Sequence, residues 1–446
     1  MRLPLPKLLL FAFLVLPVAT HAQSLLELYR QALQTNPTLR TREFAIEQAK
    51  AQEDLAQSRL RPQVSATGSY SWNDYRESGL AARRYDGTRA GIQARQALLD
   101  LTSYFKLQGA RMSVSQSEQQ REAARQALAN DVVDRYLMAL QAEDEIRHLQ
   151  AEKEAIDNQA KRLRFMRERE LAKVTDLYEV EAYYQGLLTR EIEARNARAV
   201  ALERLRETTG LTLQRVAPLA RESFPAVPGR EELWITDAAS KNPNLLALQH
   251  AIEAAGKLIE SGRAEHAPQI ALTASRTYSD QGYDNRLVPA YNIGAVGVQI
   301  TLPFYEGGRV QATVRDASAR YEMAREQHEG ARREIERDAR TAYLSAVASH
   351  ARISSTNEEV RALEKVVEGQ QRSYELGATT IVDVLIAQRR LFRSRSDRFK
   401  ARYDYIRDLT LLRTRAGRLN EQDIAEIDAW MRAPREQPAP RKVGEG

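Results

Sequence analysis

The sequence predicts a mixed α+β protein in which pairs of amphipathic strands alternate with very long helices, and in which this arrangement occurs twice. The duplication is visible in matched dipeptides. Asn36-Pro37 recurs 206 positions later as Asn242-Pro243, and Pro62-Gln63 recurs at the same offset as Pro268-Gln269. Solenoid repeats have periods of roughly 20–50 residues, so each half of this chain is a domain-sized unit.

The composition favours long helices and argues against several functions. Among 446 residues there are only 21 glycines and 15 prolines, while 28% of the residues are charged. This mixture is typical of extended helical proteins. The net charge of +6 is small beside 66 basic and 60 acidic residues. Their signs alternate along the chain, as on solvated helices, so nucleic acid is not an expected partner.

The N-terminus has the pattern of a secretory signal peptide over residues 1–22. Arg2 and Lys7 precede an apolar run at residues 8–16, and small residues end at Ala22. We expect the mature chain to begin near Gln23. An N-terminal membrane anchor is the alternative, but the apolar run is too short to span a bilayer. The absence of cysteine excludes disulfides and a cysteine-linked lipid anchor.

The hydrophobic period changes from that of a helix to that of a strand at Pro62, after a predicted helix over residues 24–60. Apolar and hydroxylic side chains then alternate, and a return strand is predicted at 88–98. The second half repeats the pattern. Apolar positions on the first, third and fourth strands are Val64, Ala66, Gly68, Tyr70 and Trp72; Ile270, Leu272 and Ala274; and Val296, Val298, Ile300, Leu302 and Phe304.

Strands of about ten residues with one apolar face, one hydroxylic face and aromatic residues near their ends are typical of a transmembrane β-barrel. The alternative is a half-buried hairpin of a soluble sheet, which alternates in the same way. Each chain supplies only four such strands, and four strands cannot close a barrel. Because lipid does not tolerate open sheet edges, a membrane role requires an oligomer.

Two long helical hairpins are predicted between and after the strand pairs. Residues 101–169 and 309–376 contain no proline, and each helix would be on the order of 100 Å long. That length calls for coiled-coil packing, and heptad spacing relates Ile353, Val360, Val367 and Tyr374. Second helices are expected at 175–208 and 380–415, after short breaks.

These elements predict six parts of the chain. We expect a signal peptide at 1–22, a first structural repeat at 23–210 and a second at 237–417. The inter-repeat segment 211–236 is expected to form an equatorial patch with the C-terminal segment 418–430. Residues 431–446, rich in proline, glycine and charge, are expected to be a disordered tail.

Enzymatic chemistry has no support in the sequence. The histidines after residue 22 form no His-x-x-x-His pair, and there is no cysteine to join them in a metal cluster. No nucleophile elbow or nucleotide-binding loop is present. We therefore expect no catalytic residues, no metal site and no cofactor.

The motifs of this chain resemble those of the TolC family of outer membrane channel proteins over essentially the whole mature length. Matching segments include the opening run at 25–29, the hairpin starts at Pro62-Gln63 and Pro268-Gln269, and the LPFYEGG run at 302–308. The most specific match is SYELGATTIVDVL at residues 373–385.

The resemblance implies a homotrimer in which each subunit gives four strands to one transmembrane β-barrel in the outer membrane lipid. That barrel would be continuous with a periplasmic α-helical coiled-coil barrel. The resemblance also implies export from the cell, together with a periplasmic adaptor (membrane fusion) protein and an inner membrane transporter, either ABC or proton-driven.

In this family the periplasmic tips of the helical hairpins close the tunnel. The resemblance carries the gate or constriction to Asp383, Asp176, Tyr374, Thr379 and Thr175, and the tip turn to Gly377. Three copies of Asp383 around an axis would form a ring that favours cations. Considered without the resemblance, Asp176 and Asp383 are first-turn carboxylates that the helix dipole stabilises.

Three positions depart from the family pattern. Thr379 stands where the best-known member has an arginine that pairs with the first-tip aspartate, Ile386 replaces a second acidic residue, and Glu170 replaces a turn glycine. The resemblance therefore does not identify the contacts that hold the gate closed. Candidates for the residues that make these contacts are Lys173, Arg167 and Arg169.

The leading hypothesis is an outer membrane channel for type I protein secretion or multidrug efflux, and the missing lipid-anchor cysteine favours secretion. A soluble periplasmic coiled-coil scaffold or adaptor without a pore is the alternative. The strands discriminate between the two, since a soluble coiled coil has no use for amphipathic, aromatic-ended strands.

Overall fold

The computed structural model describes residues 24–431, apart from 77, 80 and 282–288. The predicted signal peptide and residues 432–446 of the predicted tail lie outside these residues. Met431, the first residue of the predicted disordered tail, is instead the buried last residue of the final helix. The first half contains, in order, α1 (Leu25–Thr35), α2 (Pro37–Ser58), β1 (Gln63–Tyr75), β2 (Arg83–Leu99), α3 (Leu101–Arg167) and α4 (Val174–Thr209). The second half contains α5 (Glu231–Lys241), α6 (Pro243–Arg263), a 3-10 turn (Ala264–His266), β3 (Gln269–Gln281), β4 (Tyr291–Thr301), α7 (Arg309–Glu375), α8 (Ile381–Arg415) and α9 (Glu421–Met431).

The repeated Asn-Pro dipeptides join short helices to the long hairpins. Asn36 caps α2, and Pro37 occupies the first helical position, where no N–H donor is needed. The side-chain amide of Asn36 donates to the carbonyl oxygen of Thr208 at 3.3 Å. In the second half, the amide of Asn242 donates to the carbonyl oxygen of Arg415 at 2.9 Å. Each dipeptide thereby fixes its helix to the end of a hairpin.

A glycine follows each hairpin at the same place. Gly210 and Gly417 have left-handed φ angles of 74° and 67°. At Gly417 a Cβ atom would lie 2.5 Å from the carbonyl oxygen of Lys241, so only glycine fits this contact. Within each half, the glycine therefore lies against the residue that precedes the Asn-Pro dipeptide, Thr35 for Gly210 and Lys241 for Gly417.

The strands form one antiparallel sheet in the order β1-β2-β3-β4, which leaves β1 and β4 as open edges in the protomer. The register pairs Val64 with Ala94 and Ile300 with Ile270, so the apolar positions share one face. The predicted alternation of faces is confirmed. One detail was wrong: β4 ends at Thr301, and Leu302 and Phe304 follow it, because Pro303 has no N–H for the ladder.

The two longest helices confirm the predicted hairpins. Helices α3 and α7 have 67 residues each, about 100 Å at 1.5 Å per residue. Helix α3 packs along α4 and α6, and α7 packs along α8 and α6. Ile353 and Val360, two of the heptad positions, are buried. Among the described helices, none has a stretch long and apolar enough to cross a bilayer.

The largest core lies at the middle of the long helices, where α1, α9 and the inter-repeat segment pack on α3 and α8. The backbone N–H groups of Ala220 and Arg221 both donate to the carbonyl oxygen of Trp430 at 3.1 Å, which brings the inter-repeat segment against α9. The hydroxyl of the fully buried Tyr136 donates to the carbonyl oxygen of Ala217 at 3.1 Å. These contacts hold the inter-repeat segment and α9 against the middle of the long helices.

Candidate gate at the tips of the helical hairpins

Each helical hairpin reverses direction in a short turn, which we call the first tip (residues 168–173) and the second tip (residues 376–380). In the second tip the N–H of Ala378 donates to the carbonyl of Ser373 at 2.8 Å, and that of Gly377 to the carbonyl of Tyr374 at 2.9 Å. Gly377 has a left-handed φ of 72°. This is a Schellman motif, which satisfies the last carbonyls of a helix.

The first tip makes the same turn without a glycine. The N–H of Leu171 donates to the carbonyl of Met166, and that of Glu170 to the carbonyl of Arg167, both at 2.9 Å. Glu170 has a φ of 59°, the only left-handed non-glycine among the residues described. A residue with a Cβ atom is disfavoured there by roughly 1–2 kcal/mol. The turn of the first tip is therefore strained by its sequence.

Asp383 lies in the first turn of α8 and is held by Thr380, the residue that caps this helix. Its carboxylate accepts hydrogen bonds from the Thr380 backbone N–H at 3.0 Å and from the Thr380 hydroxyl at 2.7 Å. These two hydrogen bonds lower the pKa of Asp383, which is exposed. The side chain thus remains a fixed anion at the end of the hairpin.

Asp176 and Thr175 lie in the first turn of α4, whose cap residue Lys173 makes no side-chain capping hydrogen bond. Asp176 is close to Tyr374 of the other hairpin. Burial raises the pKa of Tyr374, and the negative charge of Asp176 raises it further. The structure therefore brings these two predicted gate residues together within one protomer.

A shared apolar cluster joins the two tips. It combines Leu163 of α3 and Leu177 of α4 with Ile381, Val384 and Leu385 of α8, all of which are buried. Tyr374 packs against this cluster. Burial of several large aliphatic side chains stabilises the contact by several kcal/mol, so the tips of one protomer form a single packed unit.

One ion pair connects the hairpins at this level, and sequence reasoning missed it. Both terminal guanidinium nitrogens of Arg162 approach Glu375 Oε1, at 3.3 and 3.4 Å. Among the described contacts, Lys173, Arg167 and Arg169 form no ion pair, and the guanidinium of Arg169 instead lies 3.5 Å from the centroid of the Phe165 ring. No local spacing indicates Arg162, because its partner is 213 positions away.

Thr379 stands at the position of a family arginine that pairs with the first-tip aspartate, but it cannot form that ion pair. Its hydroxyl is buried and has no hydrogen-bond partner among the residues described. Ile386, at the position of the expected second acid, is 43% exposed. Neither residue carries charge, so the negative charges of the predicted gate are those of Asp176 and Asp383.

Buried polar contacts continue along the hairpins above the tips. The Tyr183 hydroxyl donates to Glu152, and the guanidinium of Arg389 of the other hairpin lies 4.5 Å from the centroid of the Tyr183 ring. Burial raises the pKa of Glu152. Within the part of the chain that is described, no three His, Cys, Asp or Glu side chains are arranged to hold a metal ion.

The fold consists of long helical hairpins joined to an antiparallel sheet with an exposed apolar face. A sequence profile of the outer membrane efflux proteins matches residues 28–211 and 234–418, and the chain belongs to this family. The protein is an outer membrane efflux channel, in a family of channel proteins rather than enzymes.

Similar proteins and structures agree with this assignment. The chain is 30% identical over 439 residues to outer membrane protein TolC of Vibrio cholerae serotype O1, covering 97% of this chain and 99% of that protein. It is 28% identical over 420 residues to the alkaline protease secretion protein AprF of Pseudomonas aeruginosa, with coverage of 92% and 87%. The Campylobacter jejuni CmeC outer membrane channel shares the fold, with a TM-score of 0.78 at 15% identity and coverage of 91% and 89%. The predicted resemblance and the outer membrane location are confirmed.

Proposed function

We propose that three copies of this chain form one export channel, in which twelve strands close a transmembrane β-barrel and the helical hairpins form a periplasmic tunnel. The observation that carries this proposal is the sheet. Its apolar face is open, with Val64 69%, Trp72 65% and Ile300 66% exposed, and its two edge strands are unpaired in the protomer. Lipid covers such a face, and neighbouring subunits satisfy such edges.

The channel works, on this proposal, with a periplasmic adaptor protein and an inner membrane ABC or proton-driven transporter, and exports proteins or small molecules. Two relatives support this range, since one is named for alkaline protease secretion and another, BepC of Brucella suis, as an efflux protein. The element order of two helices, two strands and two helices occurs once from α1 to α4 and again from α5 to α8, which supports two structural repeats per subunit. The second copy begins at Glu231, inside the predicted inter-repeat segment 211–236, rather than at residue 237. The contacts of α9 with the inter-repeat segment support an equatorial region.

The assembly is tested by fractionation and native mass. We expect the protein in the outer membrane fraction, as a trimer that produces channel currents in planar lipid bilayers. Recovery of a monomer from periplasmic extract would favour the scaffold hypothesis instead. A scaffold leaves the apolar face of the sheet without an occupant, which is why we prefer the channel.

We also propose that the two tips form the gate of the tunnel, with Asp383 of three subunits near one axis. The Asp383→Asn variant is a clean test, because the amide oxygen of asparagine can still accept the hydrogen bonds from Thr380. We expect lower cation selectivity and weaker block by trivalent cations, with an intact trimer. If selectivity and block stay unchanged, Asp383 serves only to cap α8.

A further inference from the structure

The polar face of the sheet carries positive charge and no negative charge among the strand side chains described. The alternation along β2 places Arg89 and Arg95 on the same face as Gly91. The face is identified by contact as well as by register, since a Cβ atom on Gly91 would lie 3.3 Å from Thr277 Oγ1 and 3.7 Å from Thr67 Oγ1. The hydroxylic face of the sheet thus includes both arginines.

The carboxylates of the described strands all belong to the opposite face. Asp86 is paired with Trp72 in the register, and Asp280 is paired with Thr88, which is itself the partner of Tyr70. Asp74 lies on this face too, where its carboxylate forms an ion pair with Arg84 at 3.7 Å. None of these three acids is placed to neutralise a charge on the hydroxylic face.

Both arginines of the hydroxylic face are exposed and have no acceptor within hydrogen-bond or ion-pair distance in the described part of the chain. Arginine remains charged at every physiological pH. The neighbours of Arg89 along this face of β2 are Gly87 and Gly91, so no bulky side chain covers its guanidinium. The two positions are separated by about 20 Å along the strand.

We propose that Arg89 and Arg95 make the β-end of the conduit an anion-attracting pore, which admits anionic cargo to the outer half of the channel. This inference rests on the proposed trimeric barrel, in which the hydroxylic face lines the lumen and six arginines stand at two levels. Charges that line a narrow aqueous pore concentrate ions of opposite sign. The charge of the β-end is then opposite in sign to that of the acidic tips. Cargo therefore passes one region that favours cations, at the tips, and one that favours anions, in the barrel.

The test compares the wild type with an Arg89→Gln, Arg95→Gln double variant in planar bilayers, under a KCl gradient at low ionic strength, where screening is weak. We expect the permeability ratio of K⁺ to Cl⁻ to rise by about twofold or more in the double variant. Block by inositol hexakisphosphate added on the extracellular side should weaken about tenfold, because three subunits lose six charges.

Two further variants make the result specific. The Arg89→Lys, Arg95→Lys variant keeps the charge and should retain wild-type selectivity and block. Arg84→Gln removes an arginine from the opposite face and should change neither. Channels of the double variant with wild-type selectivity and block would overturn the inference, as would an Arg84→Gln variant with an equal shift. Absence of channel currents from the wild type would instead refute the proposed function.

Discussion

The ion pair between Arg162 and Glu375 gives the sharpest test of how the gate is held. It joins α3 of the first hairpin to the last residue of α7 in the second, beside Tyr374. Replacing either partner with alanine removes the only described ion pair between the two helix ends at this level. We therefore expect each single variant to favour separation of the tips and an open channel.

The expected size of the effect follows from the exposure of the pair. The side chains of Arg162 and Glu375 are 52% and 44% exposed, and their closest approach is 3.3 Å. Exposed pairs of this kind contribute about 0.5 kcal/mol each. Three subunits would together contribute about 1.5 kcal/mol, which corresponds to about a tenfold change in the ratio of closed to open channels.

The assay is single-channel recording of the trimer, with open probability as the measured quantity. Arg162→Ala, Glu375→Ala and the double variant form a double-mutant cycle, and the charge-swapped Arg162→Glu, Glu375→Arg variant should restore closure. Arg164→Ala is a matched control, because Arg164 is similarly exposed and pairs at 2.8 Å with Glu181 of its own hairpin.

Additivity of the two single variants in this cycle would show that the pair contributes no coupling energy to the gate. An equal effect of Arg164→Ala would show that any lost charge near the tips opens the channel. Either outcome would refute the assignment of the latch to Arg162 and Glu375.

Three further predictions concern other parts of the molecule. Glu170→Gly should slow hydrogen exchange at the first tip several-fold, since glycine relieves about 1 kcal/mol of left-handed strain; unchanged exchange would show that the strain is relaxed elsewhere. Val298→Asp should block membrane insertion, at a cost on the order of 2 kcal/mol per subunit, whereas Gln299→Asp should be tolerated; equal sensitivity in a heat-modifiability assay would contradict the assigned faces. Burial lowers the pKa of His148, so the folded state binds fewer protons than the unfolded state below about pH 6.5. The melting temperature should therefore decrease as the pH is lowered below this value. A His148→Gln trimer should lose this part of the pH dependence.

Much of the architecture follows from local sequence patterns. The change of period at Pro62 and the long proline-free stretches place the four hairpin helices within two residues of their observed bounds, whereas β2 begins at Arg83, five residues before its predicted start. These features are local because helix capping, helix propagation and strand alternation depend on neighbouring residues. The expected first-turn place of Asp383 follows in the same way from the capping pattern with Thr380.

Only the tertiary structure shows which side chains of the two hairpins contact each other. Arg162 meets Glu375, and Tyr374 lies near Asp176, because two helices of 67 residues end at the same level. Such contacts join residues far apart in the chain, and no periodicity within either helix distinguishes Arg162 from other exposed arginines. Candidates drawn from the tip sequence alone, Lys173, Arg167 and Arg169, therefore missed the pair.

The sequence by itself determined the family, the outer membrane location and the order of the elements, since these depend on motifs and on short-range hydrophobic pattern. The tertiary structure decided which charges face each other and which remain alone. Arg89 and Arg95 look like any exposed arginines in the sequence, and only the strand register separates them from Asp74 of β1 and Asp280 of β3. The physical reason is that a one-residue shift of register would move every side chain to the other face of the sheet.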